Sequence, residues 1–208
     1  TTAYLHLGLI GGLKWGTEGM NFIDDLTVFE ADSSMISAKK MIADGYVTTQ
    51  GDASLKGTAI NLDYTASGIS FTADCEGKVV LKLSTEIFRD EWSMKLKKTI
   101  DGMPAEDVII PDAGGTEIVL AENLVKGKHT FKIERATEYN IGRVYISGVP
   151  LNGSMIAPPA QKELYYEFYG DSITAGYGTT YFSGDPDWPL YEDGTKTYAY
   201  LTAQNMKA

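Results

Sequence analysis

The sequence predicts a mainly β protein, in which a jelly-roll β-sandwich is followed by the beginning of an α/β domain. Three observations carry this prediction. Seven short strand-like runs, each bounded by turn residues, lie between Leu55 and Pro150. Several of these runs alternate in hydropathy with a period of two, as a strand with one buried face does. The proline pair Pro158-Pro159 then ends this pattern, and an almost unbroken run of large side chains follows it.

Residues 1–38 are predicted to be the tail of a preceding module or a linker. Two apolar runs, Tyr4–Leu13 and Phe22–Phe29, flank a glycine-rich segment, which is typical of strand, turn and strand. The run Phe22–Val28 resembles the last strand of a jelly-roll carbohydrate-binding module, and a strand of the following sandwich is an equally good interpretation. Residues 31–52 show no clear periodicity, so we expect an irregular approach to the next domain, with a boundary near residue 38.

Residues 39–157 are predicted to form the sandwich. Val79, Leu81 and Leu83 lie at alternate positions, as do Phe131 and Ile133 farther along the chain. The predicted strands are Ile69–Ala73, Val79–Leu83, Trp92–Ile100, Val108–Ile110, Ile118–Leu120, Thr130–Glu134 and Val144–Ile146. Seven short strands separated by turn residues favour an all-β sandwich or jelly roll.

Residues 158–208 are predicted to begin the α/β domain. Each proline of the pair fixes its own φ and biases the preceding residue toward extended backbone, so the pair forms a stiff connector. The run Leu164–Tyr169 fits a buried strand of an α/β sheet. Tyr198–Ala208 resembles an unfinished helix, and residues 164–208 are too few to cover both faces of a parallel sheet. We therefore expect this last segment to be poorly ordered on its own.

Composition and charge exclude several classes of function. Lysine and arginine number 18 against 28 aspartate and glutamate residues, a formal net charge of −10 that repels phosphate backbones. We therefore expect no nucleic-acid partner. The apolar-leaning stretch Thr1–Leu13 is shorter than the roughly 20 residues that span a bilayer, so no membrane segment is predicted. The single cysteine, Cys75, permits no internal disulfide, and we expect it to be a buried, inert thiol.

The segment Gly170–Gly178 is the most informative part of the sequence. A serine hydroxyl attacks a carbonyl only when a base takes its proton and hydrogen-bond donors receive the developing oxyanion. Placing Ser172 between a strand and a helix exposes its Oγ beside unpaired backbone N–H groups. Gly170 allows a tight turn, and Asp171 suits the start of a helix because its oxygens cap such groups. On these three residues alone, a capped helix without catalytic function is an equally good interpretation.

The longer pattern distinguishes the two interpretations. A strand followed by Gly-Asp-Ser-Ile-Thr, with Gly176 and Gly178 behind it, resembles the first sequence block of SGNH (GDSL-like) hydrolases, whose α/β domain is flavodoxin-like. The α/β-hydrolase elbow, Gly-x-Ser-x-Gly, needs a glycine where Thr174 stands and is therefore disfavoured. Upstream, Leu124–Glu138, the proline pair and the run Glu167–Ser172 resemble carbohydrate esterase family 2, in which a β-sandwich precedes an SGNH domain.

This resemblance covers about residues 50–208 and implies a function. It implies a secreted, bacterial serine esterase that removes acetyl groups from plant-wall xylan or glucomannan without a metal or other cofactor. The partner would be an acetylated polysaccharide or oligosaccharide, met outside the cell or at its surface. Ser172 would be the nucleophile, with its own N–H in the oxyanion hole, and Asp171 would structure the turn.

The resemblance also shows what this sequence lacks. The family completes its oxyanion hole with a downstream glycine and asparagine, and its base is a histidine near the C-terminus. No Gly-x-Asn follows Ser172, and neither His6 nor His129 has the expected spacing from an aspartate. His129 lies in a predicted strand, where we expect a structural role. We predict that the C-terminal part of the hydrolase domain is missing and that the isolated chain does not hydrolyse esters.

Other side chains are weaker candidates. Four aromatic residues behind the serine are candidates for lining a sugar cleft, with ordinary packing as the alternative: Tyr177, Tyr181, Trp188 and Tyr191. Asp185, Asp187 and Asp193 lack a recognised calcium spacing, so we expect a solvated loop and no metal site. Trp92 is expected in the core, with a glycan-binding face as the alternative. A second hypothesis for the whole chain is a non-catalytic carbohydrate-binding or scaffold sandwich.

Overall fold

The computed structural model describes residues 34–89, 93–110, 114–181 and 191–208, and of 114–116 only the backbone. These residues belong to one compact unit, Asp32–Ala208. The strands are β1 (Met35–Ser37), β2 (Val47–Gln50), β3 (Ser54–Lys56), β4 (Ala59–Leu62), β5 (Gly68–Ile87), β6 (Met94–Ile100), β7 (Glu106–Ile110), β8 (Gly114–Arg135), β9 (Gly142–Pro150) and β10 (Gly153–Ile156). The helices are α1 (Ala38–Ala43), α2 (Ser172–Ala175) and α3 (Tyr198–Asn205), with 3₁₀ turns at Tyr139–Ile141 and Gly194–Lys196. No helix in these ranges is long and apolar enough to cross a membrane.

The two long strands, β5 and β8, organise an antiparallel sheet. They pair along most of their length, and the register shifts between Cys75 and Val80 divide β5 into two parts. The first part of β5 also pairs with β2 and β10, while the matching part of β8 pairs with β6, which pairs with β7. The second part of β5 pairs with β9, followed by β4 and β3. The sheet therefore has two halves, and their buried side chains join in one core.

The core follows the alternation that the sequence predicts. Six residues at alternate positions of β5 are buried: Ile69, Phe71, Ala73, Val79, Leu81 and Leu83. Phe71 pairs with Phe131 across the strands, and their stacked ring centroids lie 4.9 Å apart. Cys75 is buried and free, as predicted. The mainly β fold class is confirmed, and six of the seven predicted runs lie wholly within strands. For the seventh, β6 begins at Met94, and Trp92 lies outside the described residues.

Residues 34–50 are more regular than their composition predicts. β1 pairs with β9, and β2 pairs with β5. Ser37 caps α1 by accepting a hydrogen bond from the Lys40 N–H at 3.3 Å, and Ala38 and Met41 are buried. The prediction of irregular structure here was wrong because elements this short show no hydropathy period. The domain boundaries near residues 38 and 157 stay predictions.

The run Leu164–Tyr169 is not a strand, so the prediction that it forms a buried strand of an α/β sheet was wrong. It has no regular secondary structure, and Tyr165 and Tyr169 are 71% and 86% exposed. A buried strand needs a neighbour on each side to satisfy its backbone groups. No strand among the described residues pairs with this run, so its high strand propensity is not realised.

A buried arginine joins the end of β8 to the loop that follows it. Arg135 is fully buried and donates hydrogen bonds of 2.6–2.7 Å to the carbonyls of Leu62, Thr137, Glu138 and Gly142. Burial lowers the pKa of Arg135 to about 10, so the guanidinium remains charged at neutral pH. These bonds fix residues 136–142, against which the serine-bearing part of the chain packs.

Candidate active site

The serine stands at the start of a one-turn helix that an aspartate caps. Asp171 accepts the Ile173 N–H through Oδ1 at 3.0 Å, and its carbonyl accepts the N–H groups of Thr174 and Ala175. Ser172 is therefore the first residue of α2. Asp171 thereby satisfies the N–H groups of Ile173, Thr174 and Ala175, and among the first-turn donors only the Ser172 N–H has no partner within the described residues.

Ser172 is exposed, and its reactive atoms have no partner within the part of the chain that the structure describes. Its carbonyl accepts hydrogen bonds from Gly176 at 3.0 Å and Tyr177 at 2.8 Å. No hydrogen bond from a described residue involves its Oγ or its N–H. The hydroxyl and one backbone donor are thus both accessible to a ligand.

Gly176 ends α2 and allows the turn to lie directly on a second segment. Its φ is +98°, and a Cβ at this position would lie 2.6 Å from the backbone of Asp193. The Asp193 N–H donates to the Gly176 carbonyl at 3.1 Å. Glycine is needed here for both its backbone conformation and the close approach. The serine turn is therefore attached to residues 191–197, which we call the anchor segment.

The anchor segment is bonded to the loop behind β8. The Gly194 N–H donates to the Ala136 carbonyl at 2.9 Å, and the Glu138 N–H donates to Glu192 Oε2 at 2.9 Å. Glu192 is fully buried, and its Oε1 has no hydrogen-bond partner within the described ranges. Burial raises the pKa of Glu192 to about 8, so the carboxyl is protonated at neutral pH.

Ion pairs hold the anchor segment to the sandwich. Lys97, on β6, is buried and lies 2.6 Å from Asp107 Oδ1 and 2.9 Å from Asp193 Oδ2. Burial lowers the pKa of Lys97, but hydrogen bonds to the two carboxylates outweigh it, and the net effect is a raised pKa. The neighbouring Lys95 lies 3.9 Å from Asp107, and burial lowers its pKa. Lys97 is therefore paired with one carboxylate from the sandwich and one from the anchor segment.

Helix α3 adds a second attachment. The Tyr200 hydroxyl donates to Glu134 Oε1 at 2.5 Å, and Lys132 Nζ donates to the Tyr200 oxygen at 3.1 Å. Burial raises the pKa of Tyr200. The hydroxyls of Tyr198 and Thr174 lie 2.9 Å apart, which links α3 to α2. Two residues behind Ser172, Thr174 and Gly176, are thus held by α3 and by the anchor segment.

The described histidine is structural. His129 Nδ1 lies 2.7 Å from Asp101 Oδ2, and its Nε2 lies 2.8 Å from the Val125 carbonyl. Both partners only accept hydrogen bonds, so the doubly protonated ring suits this position. The bond to Asp101 accordingly raises the pKa of His129. His129 is therefore not a free base for Ser172, and His6 lies outside the described residues.

The other predicted candidates are only partly described. Tyr177 is partly buried, and Tyr181 and Tyr191 pack edge to face with centroids 5.5 Å apart. Trp188, Asp185 and Asp187 lie outside the described residues.

No group of three or more potential metal ligands occurs within the ranges that the structure describes. Asp193, the remaining candidate for calcium, faces Lys97 and Lys196 through Oδ2. A carboxylate oxygen that faces two ammonium groups is a poor ligand for a cation.

Sequence reasoning missed the anchoring residues Lys97, Glu192 and Asp193. Lys95 and Lys97 alternate with the core residues Met94 and Leu96, a pattern that predicts a solvated strand face. No local signal shows that residues 191–197 cover this face.

Comparisons with known proteins identify the family to which the chain belongs. The family model described as Carbohydrate esterase 2 N-terminal matches residues 54–159. The cellulase/esterase CelE of Acetivibrio thermocellus is 32% identical over 111 residues, which are 52% of this chain and 14% of that protein.

Two solved structures share the fold. A family two carbohydrate esterase from Clostridium thermocellum, in complex with cellohexaose, is 22% identical with a TM-score of 0.67, covering 77% of this chain and 48% of its own. An acetyl xylan esterase from Butyrivibrio proteoclasticus is 19% identical with a TM-score of 0.73, covering 84% and 46%. The chain thus spans about half the length of these solved relatives and a smaller share of CelE. Because the family model matches half of it, the chain belongs to the carbohydrate esterase 2 family, in its N-terminal domain.

Proposed function

We propose that this chain is the sandwich and the nucleophile-bearing beginning of a serine esterase that removes O-acetyl groups from plant cell-wall polysaccharide. The observation that carries the proposal is the position of Ser172, exposed at the first residue of α2 with its hydroxyl and N–H unpartnered within the described ranges. A nucleophile beside a free backbone donor is the first half of an acyl-transfer site, since the donor stabilises the oxyanion that the attack creates.

The second half of such a site is a base and further oxyanion donors. His129 is engaged by Asp101 and Val125, and no described side chain hydrogen-bonds to the Ser172 hydroxyl. We propose that the remainder of a hydrolase domain supplies these groups, since the solved relatives are about twice as long. The exposed run Leu164–Tyr169 supports this proposal, because it has the composition of a strand and no described neighbour.

The isolated chain should not hydrolyse esters. Without a base the serine is a weak nucleophile, and one oxyanion donor supplies only part of the stabilisation. Hydrolysis of phenyl acetate by the chain and by its Ser172→Ala variant should proceed at the same rate. A large rate that depends on Ser172 would show that the base lies within these 208 residues and would refute this part of the proposal.

The role of Ser172 is tested in a protein that carries this chain together with the rest of the hydrolase domain. There, Ser172→Ala should lower kcat by at least about a thousandfold, because the nucleophile is lost. The matched control is Ser154→Ala, the same change at an exposed serine on β10, which should leave kcat unchanged. Full activity of the Ser172→Ala variant would exclude Ser172 as the nucleophile.

The proposed substrate is an acetylated xylan or glucomannan, met outside the cell or at its surface. The names of two relatives support it, one an acetyl xylan esterase and the other solved with cellohexaose bound. Acetate release from acetylated glucomannan and acetylated xylan, compared with phenyl acetate, measures this preference. The assay uses the protein that also carries the rest of the hydrolase domain. Hydrolysis of phenyl acetate without acetate release from either polysaccharide would contradict the assignment.

A second candidate function is carbohydrate binding without catalysis. It is favoured by the match of the family model to the sandwich, residues 54–159, which ends before the serine turn. Affinity electrophoresis in soluble xylan or glucomannan separates the two functions. The test uses the protein that also carries the rest of the hydrolase domain: a purely binding protein is retarded in the gel and releases no acetate, whereas the esterase releases acetate.

A further inference from the structure

An exposed cluster of rings lies on the sandwich, apart from the serine turn. Tyr64 is 56% exposed and Phe88 is 42% exposed. The ring of Tyr139 lies between them, with centroid distances of 5.9 Å to Tyr64 and 5.5 Å to Phe88. The guanidinium carbon of Arg143 lies 5.1 Å from the Tyr139 centroid and 5.6 Å from that of Phe88. We call Tyr64, Phe88, Tyr139 and Arg143 the aromatic platform.

Hydrogen bonds hold the platform in place. Arg143 donates to the Tyr139 hydroxyl at 2.9 Å and lies 3.4 Å from Glu86 Oε2, which also accepts the Tyr145 hydroxyl at 3.1 Å. Arg143 and Tyr145 alternate on β9 with the buried residues Val144 and Ile146, so they occupy the sheet face opposite the core. Side chains already held in one arrangement lose less conformational entropy when a ligand binds.

The charges beside the platform balance one another. Lys56 Nζ lies 3.0 Å from Asp63 Oδ2, and Arg143 Nε lies 3.6 Å from Asp63 Oδ1. With Glu86, this network holds two cations and two carboxylates. These four charges cancel, so the network itself selects neither an anion nor a cation. Its electrostatics therefore suit a neutral ligand that presents both donors and acceptors.

The platform is next to the anchor segment of the serine turn. Tyr64 precedes Thr65, whose hydroxyl lies against Gly194 and donates to the Ala136 carbonyl at 2.8 Å. Tyr139 follows Glu138, whose N–H binds Glu192. The platform residues Tyr64 and Tyr139 are thus next in the chain to residues that contact the anchor segment.

We propose that the aromatic platform binds a neutral polysaccharide of pyranose units. A pyranose ring has C–H groups on its faces, which pack against aromatic rings, and hydroxyl groups at its edge, which pair with Arg143, Glu86 and Tyr145. The choice of a plant-wall polysaccharide rests on the proposed function, whereas sugar binding is inferred from the rings and charges of the platform alone. The platform would hold the chain from which the serine site removes acetyl groups.

Binding of unmodified hexasaccharides to the 208-residue chain tests this inference. Cellohexaose, xylohexaose and mannohexaose are titrated in turn by calorimetry, with no ester present. Tyr64→Ala and Phe88→Ala should each weaken binding about tenfold, because each removes a stacking ring. Arg143→Lys should weaken it about fivefold, since an ammonium group keeps the charge but not the planar contact. The control is Tyr165→Ala, which removes a 71% exposed tyrosine outside the platform and should have no effect.

A measurement on the unaltered chain covers the case in which a variant does not fold. Adding cellohexaose should shift the amide signals of Arg143 and its strand neighbours most. The inference is overturned if none of the three hexasaccharides binds, if the Tyr64→Ala variant binds as tightly as the parent, or if the shifts centre elsewhere. If this face instead binds a protein partner, none of the three hexasaccharides should bind. Failure of the esterase proposal would appear separately, in the protein that also carries the rest of the hydrolase domain, as acetate release that Ser172→Ala leaves unchanged.

Discussion

Replacing Glu192 by glutamine should make the protein more stable at neutral pH and leave it unchanged in acid. Glu192 is fully buried, and burial raises its pKa from 4.5 to about 8. Between these values the folded chain keeps a proton that the unfolded chain has lost, so the free energy of unfolding falls as the pH rises. Each pH unit corresponds to about 1.4 kcal/mol. The free energy of unfolding should therefore be about 3 kcal/mol lower at pH 7 than in acid, and about 5 kcal/mol lower once the pH has passed 8.

Glu192→Gln keeps the shape of the protonated carboxyl, and it still has an oxygen to accept the Glu138 N–H. Urea unfolding at pH 4 and pH 7 measures the difference from the parent protein, in which all other titrations cancel. We expect a difference near zero at pH 4 and about 3 kcal/mol in favour of the variant at pH 7. Glu163→Gln, at an exposed glutamate, is the control and should differ from the parent at neither pH. Equal destabilisation by Glu192→Gln at both pH values would refute the reasoning, because it would mean that the pKa of Glu192 is the same in the folded and unfolded chains.

Three further predictions concern other buried or constrained positions. Arg135→Met should lower the free energy of unfolding in urea by about 3–5 kcal/mol, because four buried carbonyls lose their donor. Gly176→Ala should lower the melting temperature more than Gly57→Ala, since both have positive φ but only Gly176 would bring a Cβ against backbone. His129→Asn should remove stability in acid and little in alkali, because the raised pKa of His129 contributes below pH 6.5 and is lost as the pH rises through the folded value. Urea unfolding of the His129→Asn variant and the parent at pH 5 and pH 9 checks this, and equal losses at both would contradict it.

The strands were predictable because burial on one face of a sheet leaves a period of two in the sequence. Their continuity was not predictable in the same way. Ile69–Ala73 and Val79–Leu83 are separate runs in the sequence but parts of β5 in the structure. Gly77, at a φ of +76°, lies within the register shifts that carry the strand across the interruption. A glycine between two apolar runs indicates either a turn or a bulge, and only the pairing with β8 distinguishes them.

The buried charges were beyond sequence reasoning for a different reason. Lysine, arginine and glutamate are almost always solvated, so a local pattern assigns them to the surface. Lys97, Arg135 and Glu192 are buried because partners distant in the sequence reach them. Asp193 is 96 residues beyond Lys97, and no spacing rule connects them. The candidate serine, by contrast, was recognisable because its whole motif is local.

The position of the serine turn therefore depends on contacts that follow it in the sequence. The run before Ser172 has no strand partner among the described residues, and its Phe168 ring packs edge to face against Tyr198 of α3, which itself follows the serine. Behind the serine, Gly176 lies on Asp193, and Asp193 is held by Lys97 of β6. The proposed nucleophile needs its hydroxyl placed within about half an ångström of its working geometry, so under that proposal these contacts make the sandwich part of the site.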